Sequence, residues 1–534
     1  MKPYRLYIPL FVAASLILGL WLGFYLATRI PSNNIEFILP SASSNKLSKI
    51  INYIDENYVD TIAKDRIIDK AIRTILQDLD PHSYYISKED FAAINEPLEG
   101  NFEGIGIEFV VREDTLYVVH TIPGGPSEKA GLQPGDKIIT VEGDTVAGVG
   151  IQNSDVIGLL RGEKGTQVKL QVKRLGKTEW IPVSITRDEI PIFSVEAVLP
   201  VNDTAGFIKI SRFAKTTHEE FRAAMDSLEN SVPNFQHLVL DLRNNGGGFL
   251  DAAIKICEDF LEEDKLIVYT KGKSEKKREY FSKKDGRYKN IRLSILINEF
   301  SASASEIVAG AIQDHDRGNI IGRRSFGKGL VQEQLSLNDN SALRLTVARY
   351  YTPTGRCIQK PYGEEIAYDE DYQERYYSGE LFHKDSILVV DSLKYTTPKG
   401  KIVYGGGGII PDVFVGLDTT GRSEILSALL YTGVLNANGF SFANKNRQQL
   451  VDLGLSNFID QFQVPDSVMT NMLREISYSK KAFKKLSVNQ QEEITERFKS
   501  TVARHIWNSK GLYLNSLKRD EMLMEMNLKP KVTT

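Results

Sequence analysis

Short apolar runs alternate with helical patterns through the middle of the chain. Residues 238–242 and 293–297 are apolar runs typical of buried strands, and each leads through small residues into a helical pattern. Residues 205–210 and 342–350 show the alternation of a strand. Strands that alternate with helices along a chain predict an α/β fold.

Both flanks of this region are predicted to be helical. Between residues 45 and 79, apolar residues recur at helical spacing, and Pro81 ends the pattern because a proline disfavours helix in the residue before it. Near the other end, apolar residues recur every four positions from Ile494 to Ile506, and Gly511 stops that helix. This C-terminal extension could cover the core or form a homodimer, and the sequence leaves both options open.

The N-terminal segment is an uncharged run. Residues 6–28 carry no charge, and about 20 apolar residues are enough for a helix to cross a membrane. Lys2 and Arg5 precede the run, so the positive-inside rule places the N-terminus in the cytoplasm. A cleaved signal peptide is the alternative, but its cleavage pattern is weak here. We therefore expect residues 1–29 to be a signal anchor, with the rest of the chain on the periplasmic side of the inner membrane.

Composition and charge exclude several classes of protein. The 534 residues are 42% hydrophobic and 25% charged, with a net charge of −3, which is typical of a multidomain globular protein and argues against a nucleic-acid binder. The basic residues 271–289 therefore indicate a solvated hairpin. Cys257 and Cys357 are too few for a disulfide framework, and whether they pair is left open. No His-Glu-x-x-His motif is present, so we expect neither a metal nor another cofactor.

The candidate chemistry lies between residues 301 and 332. Ser303 is placed at a strand-to-helix turn, where a hydroxyl is exposed near free backbone N–H groups and can act as an acyl-transfer nucleophile. Such a serine needs a base. Lys328 lies between two glycines and beside Phe326 and Leu330. A lysine has a pKa of about 10.4 in water, and burial can lower that pKa by several units.

Two motifs in this region resemble those of a known family. Ser301-Ala-Ser-Ala-Ser-Glu306 and Phe326-Gly-Lys-Gly-Leu-Val-Gln332 resemble the motifs of the carboxyl-terminal processing (tail-specific) proteases, which are serine peptidases with a Ser–Lys dyad. The resemblance implies that Ser303 is the nucleophile and Lys328 the general base. It also implies that Gln332 orients the lysine.

The resemblance further implies an oxyanion hole. Residues 243–248 (RNNGGG) follow a buried strand, and glycines let a backbone approach a substrate closely. In the family this motif supplies one N–H donor, which aligns with Gly247, next to Gly248. The second donor would be the backbone N–H of Ala304. A phosphate-binding glycine loop is the rival interpretation, but the lysine and hydroxyl residue of a P-loop are absent.

Three other residues, Phe300, His82 and His315, are expected to have no part in the chemistry. Phe300 departs from the family, many members of which have a glycine there, and we expect it to alter packing and not chemistry. His82 lies in a stretch that also resembles the family, and we expect a structural role because a lysine base leaves it no required one. His315 lies between two aspartates and is expected at the surface.

Residues 104–109 (GIGIEF) begin a strand after a glycine-rich turn, residues 126–136 (PSEKAGLQPGD) indicate a short helix and a turn, and residues 153–161 indicate a second helix. In this order of elements, residues 96–180 resemble a PDZ domain. PDZ domains bind an extended peptide along a strand edge and hold its terminal carboxylate with backbone N–H groups. Arg161 matches a position where the family can couple the PDZ domain to the protease, with an ordinary surface arginine as the alternative. The peptide-binding residues implied by the resemblance are Gly104, Ile105, Gly106 and Ile107.

Together these patterns predict a membrane-anchored endopeptidase that cuts exported proteins near flexible, apolar carboxyl-termini. The alternation of elements predicts an α/β core at residues 181–425, and the family resemblance implies that this core consists of repeated strand–strand–helix units of the crotonase-like kind. A helical N-terminal region at 45–95 and the inserted PDZ domain precede the core, and a helical C-terminal extension at 426–534 follows it. The alternative is a PDZ-containing peptide-binding adaptor with an inactive protease-like core.

Overall fold

The computed structural model describes residues 18, 19, 21, 44–274, 276–363 and 368–528. The predicted signal anchor at 1–29 therefore lies outside the described residues, except for three positions. Within the described ranges, no single helix has the length and apolar composition to cross a membrane. The helices Glu424–Tyr431 and Val434–Lys445, bent by 69°, satisfy the criterion only as a pair.

The chain divides into two compact units, residues 1–75 and 76–534. The first unit contains helix α1 (Ser44–Asn57) and most of α2 (Lys64–Gln77), both amphipathic as the spacing predicts. The second unit begins with strand β1 (Tyr84–Ile86), helix α3 (Phe91–Glu99) and strand β2 (Asn101–Gly104).

The predicted PDZ domain is an antiparallel sheet with two helices. Its strand order is β3-β4-β5-β7-β8, so β3 is an edge strand. Strand β8 pairs with β7 along its whole length, and the sheet therefore extends past residue 180, where the sequence placed its end. The elements are β3 (Ile107–Arg112), β4 (Thr115–Thr121), α4 (Pro126–Lys129), β5 (Lys137–Val141), β6 (Asp144–Thr145), α5 (Asn153–Leu160), β7 (Gln167–Lys173) and β8 (Ile181–Thr186).

Two further sheets form the predicted core. The central sheet has the order β10-β11-β12-β15-β16-β21 and is parallel from β11 onward. A smaller antiparallel sheet joins β1, β18, β13 and β14, with β17 on β18. The strands are β9 (Asp188–Pro191), β10 (Val195–Pro200), β11 (Ala205–Ile210), β12 (His237–Asp241), β13 (Leu266–Gly272), β14 (Arg278–Phe281), β15 (Arg292–Ile297), β16 (Asn319–Gly322), β17 (Leu330–Ser336), β18 (Ala342–Tyr351), β19 (Lys394–Thr396), β20 (Ile402–Tyr404) and β21 (Val413–Phe414). The core helices are α6 (Thr217–Ser231), α7 (Leu250–Glu258), α8 (Ala304–Asp314) and α9 (Asp371–Tyr377).

Both faces of the central sheet are buried. Ile208 and Leu240 belong to the hydrophobic cluster with α6, α7 and α8, whereas the neighbouring Phe207 and Val239 belong to a second cluster. The C-terminal extension supplies most of that second cluster, so its helices cover the sheet of their own chain. Each large apolar side chain buried there contributes about 1.5–3 kcal/mol. The helices are α10 (Glu424–Tyr431), α11 (Val434–Lys445), α12 (Arg447–Leu453), α13 (Leu455–Gln461), α14 (Asp466–Glu475), α15 (Lys480–Lys484), α16 (Val488–Leu517) and α17 (Glu521–Glu525). The prediction that Gly511 ends its helix is wrong, because Gly511 lies inside α16, which is interrupted instead at Trp507 and Asn508.

Candidate active site

Ser303 lies where β15 turns into α8. It is the N-cap residue of α8, with φ 56° and ψ −114°, a conformation that residues with a Cβ rarely adopt. Two hydrogen bonds to the residues after β12 fix the turn. The Ser301 hydroxyl donates to the Leu242 carbonyl at 2.8 Å, and the Ala302 N–H donates to the Asn245 carbonyl at 2.9 Å. Strained backbone at a well-fixed turn is a feature of functional sites.

The glycine loop, residues 243–248, follows the neighbouring parallel strand β12. The carboxyl ends of adjacent parallel strands meet at one edge of a sheet, so this loop meets the serine turn. Gly247 has φ 101°, and a Cβ added to it would lie 2.7 Å from the Ser303 Cβ. Gly247 therefore touches the candidate nucleophile directly.

The N–H donors at this edge are not all free. Asn245 is buried, and its side-chain oxygen accepts the Gly247 N–H at 2.9 Å. Within the described residues, the N–H groups of Gly248 and Ala304 have no hydrogen-bond partner. In this conformation Gly248 and Ala304 are thus the donors open to an oxyanion, while donation by Gly247 stays a prediction that requires its N–H to leave Asn245.

Lys328 is half-buried just before β17. Its Nζ donates to Gln332 Oε1 at 2.8 Å, and Gln332 Nε2 donates in turn to the His82 carbonyl. Burial lowers the pKa of Lys328, and the nearby Arg344 lowers it further, while two carboxylates, Asp80 and Glu306, oppose this. The amine is thereby shifted towards the uncharged form that a base requires.

Glu306 joins the serine turn to the lysine loop, residues 325–329. Its carboxylate is fully buried and accepts four hydrogen bonds. One oxygen accepts the Ser325 hydroxyl at 2.6 Å and the Gly327 N–H at 2.7 Å. The other accepts the N–H of Ser303 at 2.8 Å and of Lys328 at 2.9 Å. Burial raises the pKa of Glu306 to about 7.

The role of Glu306 is not evident from the sequence. Its signal was a carboxylate three residues after the candidate nucleophile, in the first turn of an otherwise apolar helix. Tyr350 was also missed, and its hydroxyl donates to the Lys328 carbonyl at 2.6 Å and lies 3.2 Å from the Ser303 carbonyl. Glu306 and Tyr350 each contact the backbone of both Ser303 and Lys328. The backbones of Ser303 and Lys328 therefore lie close together.

The two candidate catalytic side chains are not hydrogen-bonded to each other here. In the part of the chain that the structure describes, the Lys328 amine has Gln332 as its side-chain partner and makes no hydrogen bond to Ser303. Hydrogen bonds between catalytic groups often form only when substrate is bound.

The rings of His82 and His315 have hydrogen-bond partners other than Ser303. His82 contributes its backbone carbonyl to Gln332, while its ring contacts the Tyr368 hydroxyl at 2.8 Å. Burial lowers the pKa of His82 to about 4, so the ring is neutral. His315 follows the far end of α8 from Ser303 and contacts the Leu266 carbonyl at 2.7 Å.

Phe300 lies two residues before Ala302 and is 47% exposed. Its ring stacks on that of Tyr372 in α9, with ring centres 5.4 Å apart. The two cysteines, Cys257 and Cys357, both lie within the described residues and are free.

The predicted peptide-binding turn of the PDZ domain lies between β2 and β3. Gly106 has φ 72°, and the N–H groups of Ile105 and Gly106 are without a partner among the described residues. The Ile105 carbonyl accepts both the N–H of Ser127 at 3.1 Å and its hydroxyl at 2.6 Å, which fixes the turn. Ile107 begins the edge strand β3, and Gly104 ends β2.

Arg161 lies at the base of this turn. Its guanidinium is 4.8 Å from the centre of the Phe102 ring and forms an ion pair with Glu96 in α3. The same helix contacts the core, because Lys215 N–H donates to the Leu98 carbonyl at 3.0 Å. Arg161 is therefore connected to the core through α3, unlike an isolated surface arginine.

The family is shown by comparison with known proteins. Residues 204–372 match peptidase family S41, residues 104–185 match the PDZ domain, and residues 425–508 match a family of unknown function. The carboxy-terminal-processing protease of Bartonella bacilliformis is 35% identical over 352 residues, which is 65% of this chain and 78% of that protein. The chain belongs to the carboxy-terminal processing proteases. It is a serine-type peptidase that combines a mixed α/β protease core with a PDZ domain and a helical C-terminal region.

Further carboxy-terminal processing proteases are similar over shorter stretches or at lower identity. CtpA of Bacillus subtilis is 35% identical over 317 residues, which is 59% of this chain and 66% of that protein. The photosystem II D1 C-terminal processing protease is 26% identical with a TM-score of 0.35, over 70% of this chain and 94% of that one. A PDZ domain of a carboxy-terminal protease from Vibrio cholerae, in complex with peptide, is 39% identical with a TM-score of 0.16, over 17% of this chain and 97% of that one.

Replacing Gly247 by alanine tests the contact between the glycine loop and the serine turn. The new Cβ would meet Ser303 at 2.7 Å in a backbone conformation that favours glycine, so we expect kcat to fall about 100-fold, as for loss of an oxyanion donor. The matched control is Gly246→Ala, where an added Cβ meets nothing within 4 Å. Equal kcat values in the two variants, measured with one peptide substrate, would contradict the predicted role of Gly247.

Proposed function

We propose that this protease cleaves exported proteins near their carboxyl-termini, with Ser303 as nucleophile, Lys328 as general base and Gln332 as the residue that orients Lys328. The observation that carries the proposal is the position of Glu306. A single oxygen of this buried carboxylate accepts the backbone N–H of Ser303 and that of Lys328. The two nitrogens are thus less than two hydrogen-bond lengths apart, although 25 residues separate them in the chain.

The proposed reaction is acyl transfer through a covalent intermediate. The neutral Lys328 amine takes the proton of the Ser303 hydroxyl as Ser303 Oγ forms a bond to the peptide carbonyl carbon. The carbonyl oxygen becomes an oxyanion that accepts hydrogen bonds from Ala304 N–H and from the glycine loop, through Gly247 or Gly248. The lysine ammonium then protonates the leaving amine, and water, deprotonated by the same amine, hydrolyses the acyl-enzyme.

The PDZ domain would capture the substrate tail. The unpaired N–H groups of Ile105 and Gly106 would hold the terminal carboxylate, and the free edge of β3, from Ile107, would pair with the tail. Arg161 would couple this domain to the core through its ion pair with Glu96. Flexible tails with apolar residues are the substrate class that we propose for this strand edge.

The proposal also covers the location of the protein and its domain organisation. Residues 1–29 would anchor the protein in the inner membrane, with the catalytic part on the periplasmic side. The crotonase-like repetition of units within residues 181–425 and the domain limits given by the sequence are retained as predictions, except that the PDZ sheet extends past residue 180. A homodimer is not proposed, because the C-terminal extension covers the central sheet of its own chain.

Cleavage of peptides that differ only at the terminal carboxylate tests the proposal. A peptide with an apolar, free carboxyl-terminus should be cut with kcat/KM about tenfold higher than its amidated form, because amidation removes the charge that the PDZ turn binds. Mass spectrometry of the products gives the position of the cut. An adaptor with an inactive core would bind the free-acid peptide and cut neither form, and that result would refute the proposal.

A further inference from the structure

The end of the C-terminal extension reaches the glycine loop. Asp520 is the N-cap residue of α17, and one of its side-chain oxygens accepts the N–H groups of Met522 at 3.0 Å and Leu523 at 3.2 Å. Its other oxygen lies 2.7 Å from a guanidinium nitrogen of Arg243. Arg243 is the first residue of the glycine loop. Asp520, which lies outside the protease core, therefore contacts the loop assigned to the candidate oxyanion hole.

Arg243 is bound between two carboxylates. Asp241, which is buried at the end of β12, accepts from its Nε and from its second terminal nitrogen, the latter at 2.7 Å. Asp520 accepts from the first terminal nitrogen. The side chains of Arg243 and Asp520 are 19% and 11% exposed, so solvent screens this pair only weakly. A charged cavity of about 470 Å³ borders both residues, and without Asp520 the guanidinium would face this open space.

Hydrogen bonds fix the backbone of Arg243 and of the residue that follows it in the glycine loop. Its backbone N–H donates to Asp241 at 2.8 Å, and its carbonyl accepts from the Lys209 amine. The next residue, Asn244, exchanges two hydrogen bonds of 2.8 Å with Asn298, which precedes the serine turn. Arg243 and Asn244 are therefore both fixed by hydrogen bonds at the start of the loop that leads to Gly247 and Gly248.

We propose that Asp520 is a positioning residue for the oxyanion-binding loop, acting through Arg243. The inference rests on the proposed function, since it assigns this loop to the stabilisation of the oxyanion. Stabilisation by backbone donors depends on their alignment with charge that develops only in the transition state. A shift of about 1 Å at such donors can cost about two orders of magnitude in rate, and a partly released Arg243 should cost less. The C-terminal extension would thus be part of the catalytic unit.

The test is Asp520→Asn in the full chain. The amide oxygen can still accept the two helix N–H groups, whereas the amide nitrogen would replace the oxygen that faces Arg243. We expect kcat to fall about tenfold with KM unchanged. Affinity for a substrate-like peptide aldehyde, whose carbonyl carbon is attacked by Ser303 Oγ to give a tetrahedral adduct, should fall by the same factor. Asp520→Glu, which keeps the charge, should recover most of the loss.

A matched control is available in the same extension. Glu492→Gln removes the ion pair of Glu492 with Arg519, 3.0 Å long, which does not involve Arg243. Its kcat should stay within about twofold of the original, as expected for an exposed ion pair. A kcat for Asp520→Asn equal to that of Glu492→Gln would overturn the proposal.

A purely structural role gives a different result. In that case kcat for Asp520→Asn would fall only in proportion to the folded fraction, measured by circular dichroism, and aldehyde affinity of the folded enzyme would be unchanged. That outcome also overturns the proposal. Absence of cleavage by the unmodified protein would refute the proposed function itself, so the two failures can be told apart.

Discussion

Replacing Lys328 by methionine should reduce kcat/KM on the order of 10⁴-fold or more, and replacing Ser303 by alanine should do the same, because residues that act as one catalytic unit each account for most of the rate. Methionine keeps the apolar stem of Lys328 and removes only the amine. Lys328→Arg should be equally inactive, since a guanidinium does not lose its proton in a protein. Hydrolysis of a quenched fluorescent peptide gives the rates.

Lys360 provides the matched control for this prediction. It is a second buried lysine, and its amine lies 4.1 Å from the ring centre of Phe326, two residues before Lys328. Its partner is the Asp371 carboxylate at 3.1 Å, and not Gln332. Lys360→Met should therefore keep kcat/KM within about tenfold, the scale expected for an indirect effect on positioning. Full activity in Lys328→Met would rule out the lysine as the base.

The pH dependence of the same reaction follows from the pKa of Lys328. The base must be uncharged, so the rate rises with pH as the ammonium loses its proton. Burial lowers this pKa from 10.5, and the midpoint of the rise in kcat should accordingly lie below that value. A midpoint at or above the pKa of a free lysine would indicate that the amine is solvated during catalysis.

Replacing Glu306 by glutamine should destabilise the protein and disable the site together. The carboxylate accepts four hydrogen bonds, and the amide group replaces one accepting oxygen by a donor. Two donors would lose their acceptor in a fully buried environment, at a cost of about 1–3 kcal/mol each. We expect the free energy of unfolding to fall by about 3 kcal/mol and kcat to fall about 100-fold, as measured by urea unfolding and peptide hydrolysis.

Ser305→Ala is the control for Glu306→Gln. Ser305 is buried in the same turn of α8, and its hydroxyl makes one hydrogen bond, 2.9 Å long, to the Asn245 carbonyl. That carbonyl still accepts the Ala302 N–H when the hydroxyl is removed. The variant should lose only about 1 kcal/mol. If Glu306→Gln were as stable and as active as Ser305→Ala, the serine turn and the lysine loop would not depend on this carboxylate.

Much of the site follows from local pattern. The apolar runs at 238–242 and 293–297 predict strands, and the structure confirms strands at His237–Asp241 and Arg292–Ile297. Because these strands are adjacent and parallel, the residues that follow them meet at one edge. Periodicity predicted the two strands, the family resemblance implied that Ser303 and the glycine loop act together, and the parallel pairing of the strands in the structure brings the two segments to one edge.

Contacts between segments that are distant in the chain could not be predicted from local pattern. Glu306 is bound by residues about 20 positions further along, and nothing in its local pattern distinguishes a helix-capping carboxylate from one that joins two loops. Asn245 is a similar case, because its oxygen accepts the Gly247 N–H that the motif suggested was free. Hydrogen-bond partners depend on which loops the fold brings within 3 Å, and spacing along the chain does not encode this distance.

The sequence by itself determined the succession of strands and helices, the glycine and serine turns, and the identity of the residues at them, because these depend on side-chain periodicity and local backbone preference. Only the tertiary structure decided what covers the second face of the central sheet. Phe207 and Val239 show that this face is apolar, but helices of the same chain or of a partner would bury it equally well. The hydrophobic effect has no direction, so the choice of the C-terminal extension, and with it the contact between Asp520 and Arg243, depends on packing in three dimensions.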